Sequence, residues 1–147
     1  MISSVRKFFR RKPLVVVIRL DGVIGAVSRF GSGGLDDFNT QKLLEKAFEF
    51  EKAKAIAIKI NSPGGSPTQS SLIASRILKL SEEKKIPVLC FCEDVAASGG
   101  YWLACAGEEI YSDINSIIGS IGVISASFGF SELISRYGTV SYTHLRA

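Results

Sequence analysis

Two short stretches carry residue types able to do chemistry together. One is "EDVAASGGYWLACAG", Glu93–Gly107, where Ser98 stands between two alanines and two glycines. The other is "NSPGGSP", Asn61–Pro67, where Gly64 and Gly65 follow Pro63. A serine that opens a helix sits where free backbone N–H groups favour developing negative charge. Ala96 and Ala97 leave its approach uncrowded, and Gly99 and Gly100 put no Cβ in the way of a substrate backbone. The N–H of Gly99 is a natural donor to an oxyanion, and the N–H of Gly65 supplies a second. A serine with two aimed N–H groups is the minimum for acyl transfer. The plainer reading makes Ser98 a helix N-cap, with glycines for tight packing. The second glycine-bearing stretch favours the nucleophile. The pattern is not G-x-S-x-G, so the usual α/β-hydrolase elbow is not indicated.

A serine nucleophile needs a base. The single histidine, His144, lies beyond Gly138 in a tail with no helix or strand signal, which makes it a poor triad partner. A lysine base must be desolvated enough to lose its proton. Lys7, Lys12, Lys42, Lys46, Lys52, Lys54, Lys79, Lys84 and Lys85 lie in polar or charged surroundings. Lys59, in "AIAIKINS", shares a face with Ala55 and Ala57 and is the remaining candidate. A strand lysine that extends its amine to water is the alternative.

The elements that must position these residues alternate. "PLVVVIRLDGVIG" (13–25), "AIAIKIN" (55–61) and "IPVLCFC" (86–92) read as buried strands. "AVSRFGSGGLDDFN" reads as a loop. A helix follows from about Thr40 to Lys52, and another begins at Ser66 with Pro67 in its first turn and Gln69 completing an S-x-x-Q capping box. "SGGYWLACAG" reads as a short buried helix entered through a loop, with Tyr101, Trp102 and Leu103 packing behind Ser98. "EEIYSD" and "SIIGSIGVIS" are further strand material, and "FSELISRYG" (130–138) is a last helix closed by Gly138. The order β-α-β-α-β-α with apolar strands predicts an α/β domain with a parallel sheet and right-handed crossovers. Ligand sites in such sheets gather at strand C-termini, where both glycine stretches fall.

The composition sets the outer limits. The 147 residues are 46% hydrophobic and 22% charged, enough for one domain with a core. No apolar run reaches the ~18 residues of a membrane span. Arg19 and Asp21 interrupt the first apolar run too early for a cleavable signal. Of the net charge of +4, five positive charges (Arg6, Lys7, Arg10, Arg11, Lys12) lie in the first twelve residues, leaving the body close to neutral. That basic tail, 1–12, can touch an anionic membrane surface or stand solvated. No nucleic-acid partner is indicated. Cys90, Cys92 and Cys105 are odd in number and lie in apolar runs. They read as core thiols in a reducing compartment rather than metal ligands.

"INSPGGSPTQSSLIASRI", "EDVAASGGYWLACAGEEIYSD" and "SIIGSIGVISASFGFSELISRYG" together resemble the signal peptide peptidase A (SppA/SohB-like) serine peptidases, over roughly Val15 to Gly138. The resemblance implies a ClpP/crotonase-like α/β fold of repeated β-β-α units with a mostly parallel sheet. It implies Ser98 as nucleophile and the N–H groups of Gly65 and Gly99 as oxyanion hole. Gly64, Gly119, Ser120, Ile121 and Gly122 would line the substrate groove, within a strand from Gly119 to Ile124. It further implies a Ser-Lys dyad, no cofactor, apolar peptide substrates such as signal-peptide remnants or membrane-protein segments, and a homo-oligomeric ring. A bacterial protein in the cytoplasm or peripheral to the inner membrane is expected. The family's general-base lysine comes in a segment after the "SRYG" helix, whereas "SYTHLRA" (141–147) does not resemble that continuation. The expectation is a tail at 1–12, a C-terminally incomplete peptidase domain at 13–140 and an atypical tail at 141–147, with the nucleophile present and the base missing. A crotonase-type acyl-CoA enzyme, which would not need Ser98, and a non-catalytic assembly module are the competing readings.

Overall fold

A computed structural model describes residues 13–25, 34–122 and 136–137. The expected helix at 130–138, the groove strand beyond Gly122, the basic tail and the tail with His144 lie outside these, save Arg136 and Tyr137.

The β-branched run Leu14–Asp21 forms β1, and Gly22 ends it with φ +93°, donating its N–H to Asn61 O at 3.0 Å. Helix α1 runs Asp37–Phe48, three residues earlier than the apolar spacing indicates. The reason is Asp36, an N-cap whose carboxylate accepts from Asn39 N at 2.8 Å. Strand β2 spans Ala53–Ser62 and helix α2 spans Pro67–Lys84. Only half of the expected capping box forms. Ser66 Oγ accepts from Gln69 N, but Gln69 Oε1 turns to Asp37 N at 2.8 Å. Ser66 N donates to Ile24 O instead. The side chain meant for its own helix thus ties α2 to the start of α1.

Strand β3 spans Val88–Ala97, helix α3 spans Gly99–Ala104, and β4 (Glu109–Ser112) and β5 (Ile117–Gly119) follow. The sheet order is β1-β2-β3-β4, every pairing is parallel, and β5 also pairs with β3. Each crossover among the first four strands steps the same way, so one handedness sends α1, α2 and α3 to the same face. That face holds the core. Ile18, Leu20, Ile56, Ile58, Ile60, Val88, Cys90 and Cys92 meet Leu44, Phe48, Ile73, Ile77 and Leu103 there. Each fully buried aliphatic side chain is worth about 1.5–3 kcal/mol. The described residues leave the opposite face open, with Val17 61% exposed and Phe91 stacked on Tyr111 at 5.0 Å.

The expected β-β-α repeat is seen in rudiment. Single bridge residues, Ile24 with Leu35 and Ile24 with Gly65, stand between the strands and the helices α1 and α2. Cys90 and Cys92 share the buried face as expected, and burial pushes the Cys90 thiol up to about 12 and raises Cys92. Both stay protonated packing groups at neutral pH. Cys105 departs from the expectation, because it is exposed.

Candidate active site

Ser98 needs no loop to reach its place. The third strand was expected to stop at Cys92, yet β3 continues to Ala97 and delivers Ser98 directly. Two partners extend it. Val95–Ala97 pair with β5, and Val95 N donates to Asn61 Oδ1 at 3.2 Å. The Ser98 N–H then donates to Gly119 O at 2.7 Å, and its carbonyl accepts the first helical bond, from Trp102 N.

Ser98 has φ +51° and ψ −118°, and its side chain makes no capping bond to α3. The N-cap reading therefore fails. A non-glycine residue in this region costs on the order of 1–3 kcal/mol, and the strand behind it and the helix ahead of it hold it there. Ser98 lines a cleft of about 100 Å³ together with Gly65, Pro67, Gly99, Trp102, Ile121 and Gly122.

The two glycine stretches meet at backbone level. A Cβ on Gly64 would stand 2.7 Å from Gly99 N, 2.8 Å from Ala97 O and 2.9 Å from Ser98 Cβ. Gly64 thus lies under the serine rather than along the groove. Gly65 lies in a parallel bridge in which Ile24 N donates to Gly64 O and Ser66 N donates to Ile24 O. Both bonds use Gly65's neighbours, so its own N–H faces away from Ile24. Neither the Gly65 N–H nor the Gly99 N–H finds an acceptor among the described residues.

The glycines after Ser98 also permit close packing. A Cβ on Gly99 would meet Ser70 Oγ at 2.2 Å, and one on Gly100 would meet Ser62 O at 2.5 Å. They let α3 press against α2 and the end of β2. Trp102 does not pack behind Ser98 as expected. It is 40% exposed and forms a wall of the cleft, while Leu103 is buried and Tyr101 is partly so. Gly119 (φ +95°) and Ser120 (φ +53°) take left-handed backbone after β5, and Ile121 and Gly122 line the cleft with the serine.

Lys59 is not brought to Ser98. It lies on the open sheet face, its Nζ paired with Glu93 Oε1, and it lines no part of the cleft. Lys59 and, more weakly, Arg19 hold the Glu93 carboxyl below the usual carboxylate range. Arg19 Nη2 is 2.9 Å from Glu93 Oε2, but that buried oxygen accepts no hydrogen bond from the described residues. No lysine follows Lys85 in the sequence. Sequence reasoning passed over Ser62, Ser70 and Ile24. Their signal was adjacency: Ser62 directly precedes the Pro-Gly-Gly turn, and Ile24 directly follows the first strand.

Helices on one face of a parallel sheet, with Ser98 at the end of its third strand, define an α/β domain that has a solved counterpart. Its fold is similar to that of the 1510-N membrane-bound stomatin-specific protease, solved as a serine-to-alanine mutant. The TM-score is 0.60 at 23% identity, over 86% of this chain and 59% of that one. Residues 81–147 match the model for Peptidase family S49, and the chain is similar to SppA and protease 4 proteins. It is 37% identical to the chloroplastic serine protease SPPA of Arabidopsis thaliana over 84% of its own length, and 32% identical to protease 4 of Haemophilus influenzae over 84%. It spans 18% and 20% of those two proteins. It is also 50% identical, over 90% of its length, to 18% of a Brucella melitensis protein named Na(+)/H(+) antiporter NhaA. Among the described residues no helix is long and apolar enough to cross a membrane. Because the chain spans only 18% of the Brucella protein, the activity in its name is not carried to this chain.

Proposed function

We propose that the chain carries the nucleophile and oxyanion hole of a serine peptidase acting on apolar peptides, and that the general-base lysine is supplied from outside these 147 residues. One observation carries the reading. A strained serine with an uncapped hydroxyl shares a cleft with two glycines whose N–H groups lack acceptors among the described residues. Ser98 Oγ attacks the peptide carbonyl carbon as its proton passes to the lysine amine. The carbonyl oxygen, now an oxyanion, accepts from Gly65 N and Gly99 N. Collapse expels the amine, which takes the proton, and water then hydrolyses the acyl-serine. One oxyanion donor is typically worth about 10²–10³ in rate. Trp102, Pro67 and Ile121 make the cleft walls apolar, which supports apolar substrates. The sheet face that the described residues leave open, apolar at Val17 and Phe91 and charged at Arg19, Lys59 and Glu93, supports assembly with further copies, since parallel sheets are ordinarily covered on both faces.

An activated ester of an apolar acyl-amino acid tests this, because p-nitrophenolate leaves with little help from an acid. The expected result is a burst of one equivalent of p-nitrophenolate that is lost in Ser98→Ala, followed by turnover near background. An equal burst from Ser98→Ala overturns the proposal.

A further inference from the structure

We propose that Ser62 is a positioning residue of the Ser98 centre, whose hydroxyl locks the Pro63–Gly65 turn so that the Gly65 N–H is aimed at the cleft. The inference rests on the reading of Ser98 and Gly65 just given. Ser62 is the last residue of β2 and is fully buried. Its Oγ donates to Gly22 O at 2.6 Å and accepts from Gly64 N at 3.1 Å. One hydroxyl therefore joins the end of β1 to the turn after β2.

Three further contacts make Ser62 the junction of the site. Its backbone pairs with Ala96, two residues before the nucleophile. Its carbonyl is where Gly100 packs, so closely that a Cβ there would lie 2.5 Å away. The Gly64 it holds lies against Ser98 Cβ and Gly99 N. The Gly64–Gly65 peptide thus has one fixed distance to the nucleophile, and the Ser62 hydroxyl is the side-chain bond that sets it. Pro63 fixes φ on one side of the turn but gives no N–H to anchor it, and Gly64 (φ +95°) and Gly65 (φ +149°) are conformationally free residues. Without the hydroxyl, this turn loses the hydrogen bond that holds its Gly64 N–H. Preorganised donors act only when they stay aimed, so the loss falls on the bond-making step rather than on substrate binding.

The test is the rate of Ser98 phosphonylation by an apolar fluorophosphonate, resolved into the maximal rate and the half-saturating concentration. Ser62→Ala is expected to lower the maximal rate at least tenfold, with the half-saturating concentration unchanged within threefold. Ser62→Thr, which keeps the hydroxyl, is expected to stay within threefold of the parent. If the alanine variant does not fold, Ser62→Cys keeps the volume with only a weak donor and is expected to show the same rate loss. A parent-like maximal rate in the folded Ala or Cys variant overturns the proposal, as does a loss confined to half-saturation or shared equally by Ser62→Thr. Labelling that survives in Ser98→Ala instead overturns the nucleophile assignment on which it rests.

Discussion

Gly64→Ala is the substitution that most sharply separates backbone conformation from crowding at this site. Gly64 and Gly119 both have φ +95°, so an alanine at either position meets the same left-handed penalty of about 1–2 kcal/mol. Both also gain the same small benefit from a stiffer unfolded chain. The surroundings differ completely. A Cβ on Gly119 meets nothing within 4 Å, whereas one on Gly64 meets three atoms between 2.7 and 2.9 Å, two of them backbone. Backbone cannot swing aside as a side-chain tip can, so Gly64→Ala adds an overpacking cost of about 1–3 kcal/mol. Against a total stability of roughly 5–15 kcal/mol, that is a large share. In urea, with a slope of about 1–3 kcal/mol per molar, Gly64→Ala should unfold about 1 M earlier than Gly119→Ala. Equal midpoints for the two variants refute the claim that the Asn61–Pro67 and Glu93–Gly107 stretches touch through their backbones.

Three further outcomes follow from single contacts. Gly99→Ala should destabilise strongly because its Cβ lands 2.2 Å from Ser70 Oγ, and Ser70→Ala should recover part of that loss in a double-mutant cycle by urea unfolding; strict additivity contradicts it. Arg76 forms a two-pronged bond to Asp37 at 2.8 and 2.7 Å and holds that carboxyl below its ordinary 3.8. A depressed carboxylate contributes stability above its unfolded pKa and loses it as pH falls through the folded one. Unfolding midpoints should therefore decline as pH drops below about 3.8, more steeply in the parent than in Asp37→Asn, and parallel pH profiles would refute this. Lys59→Met should leave Ser98 phosphonylation unchanged and shift stability by under ~1 kcal/mol, as for a solvent-reached pair; a tenfold loss of labelling would make Lys59 the base.

The strand–helix alternation was legible because apolar runs and helical spacing are local properties. Three boundaries were not, and each has a tertiary cause. β3 outruns its apolar run because β5 and Asn61 supply partners to Val95–Ala97. α1 starts early because Asp36, inside what reads as a loop, caps it. Gln69 leaves its capping box because α1 offers it an unpaired N–H. That Ser98, Gly65 and Gly99 come to one cleft could be read from residue type and proximity to strand ends. The role of Gly100 against Ser62, and of Trp102 as a wall, could not, since both depend on how closely α3 approaches β2. Lys59 shows the opposite limit. Its position in an apolar strand is consistent with a desolvated base, and only the carboxylate of Glu93 on the neighbouring strand, beside it on the same face, ties it elsewhere.

The central claim is that Ser98 is a nucleophile held beside two oxyanion donors. It is tested most directly by treating the chain with an apolar fluorophosphonate and locating the adduct by mass spectrometry. A single slow phosphonyl adduct on Ser98, absent in Ser98→Ala and still formed in Lys59→Met, is the predicted result. An adduct spread over other serines, or one that persists without the Ser98 hydroxyl, contradicts it.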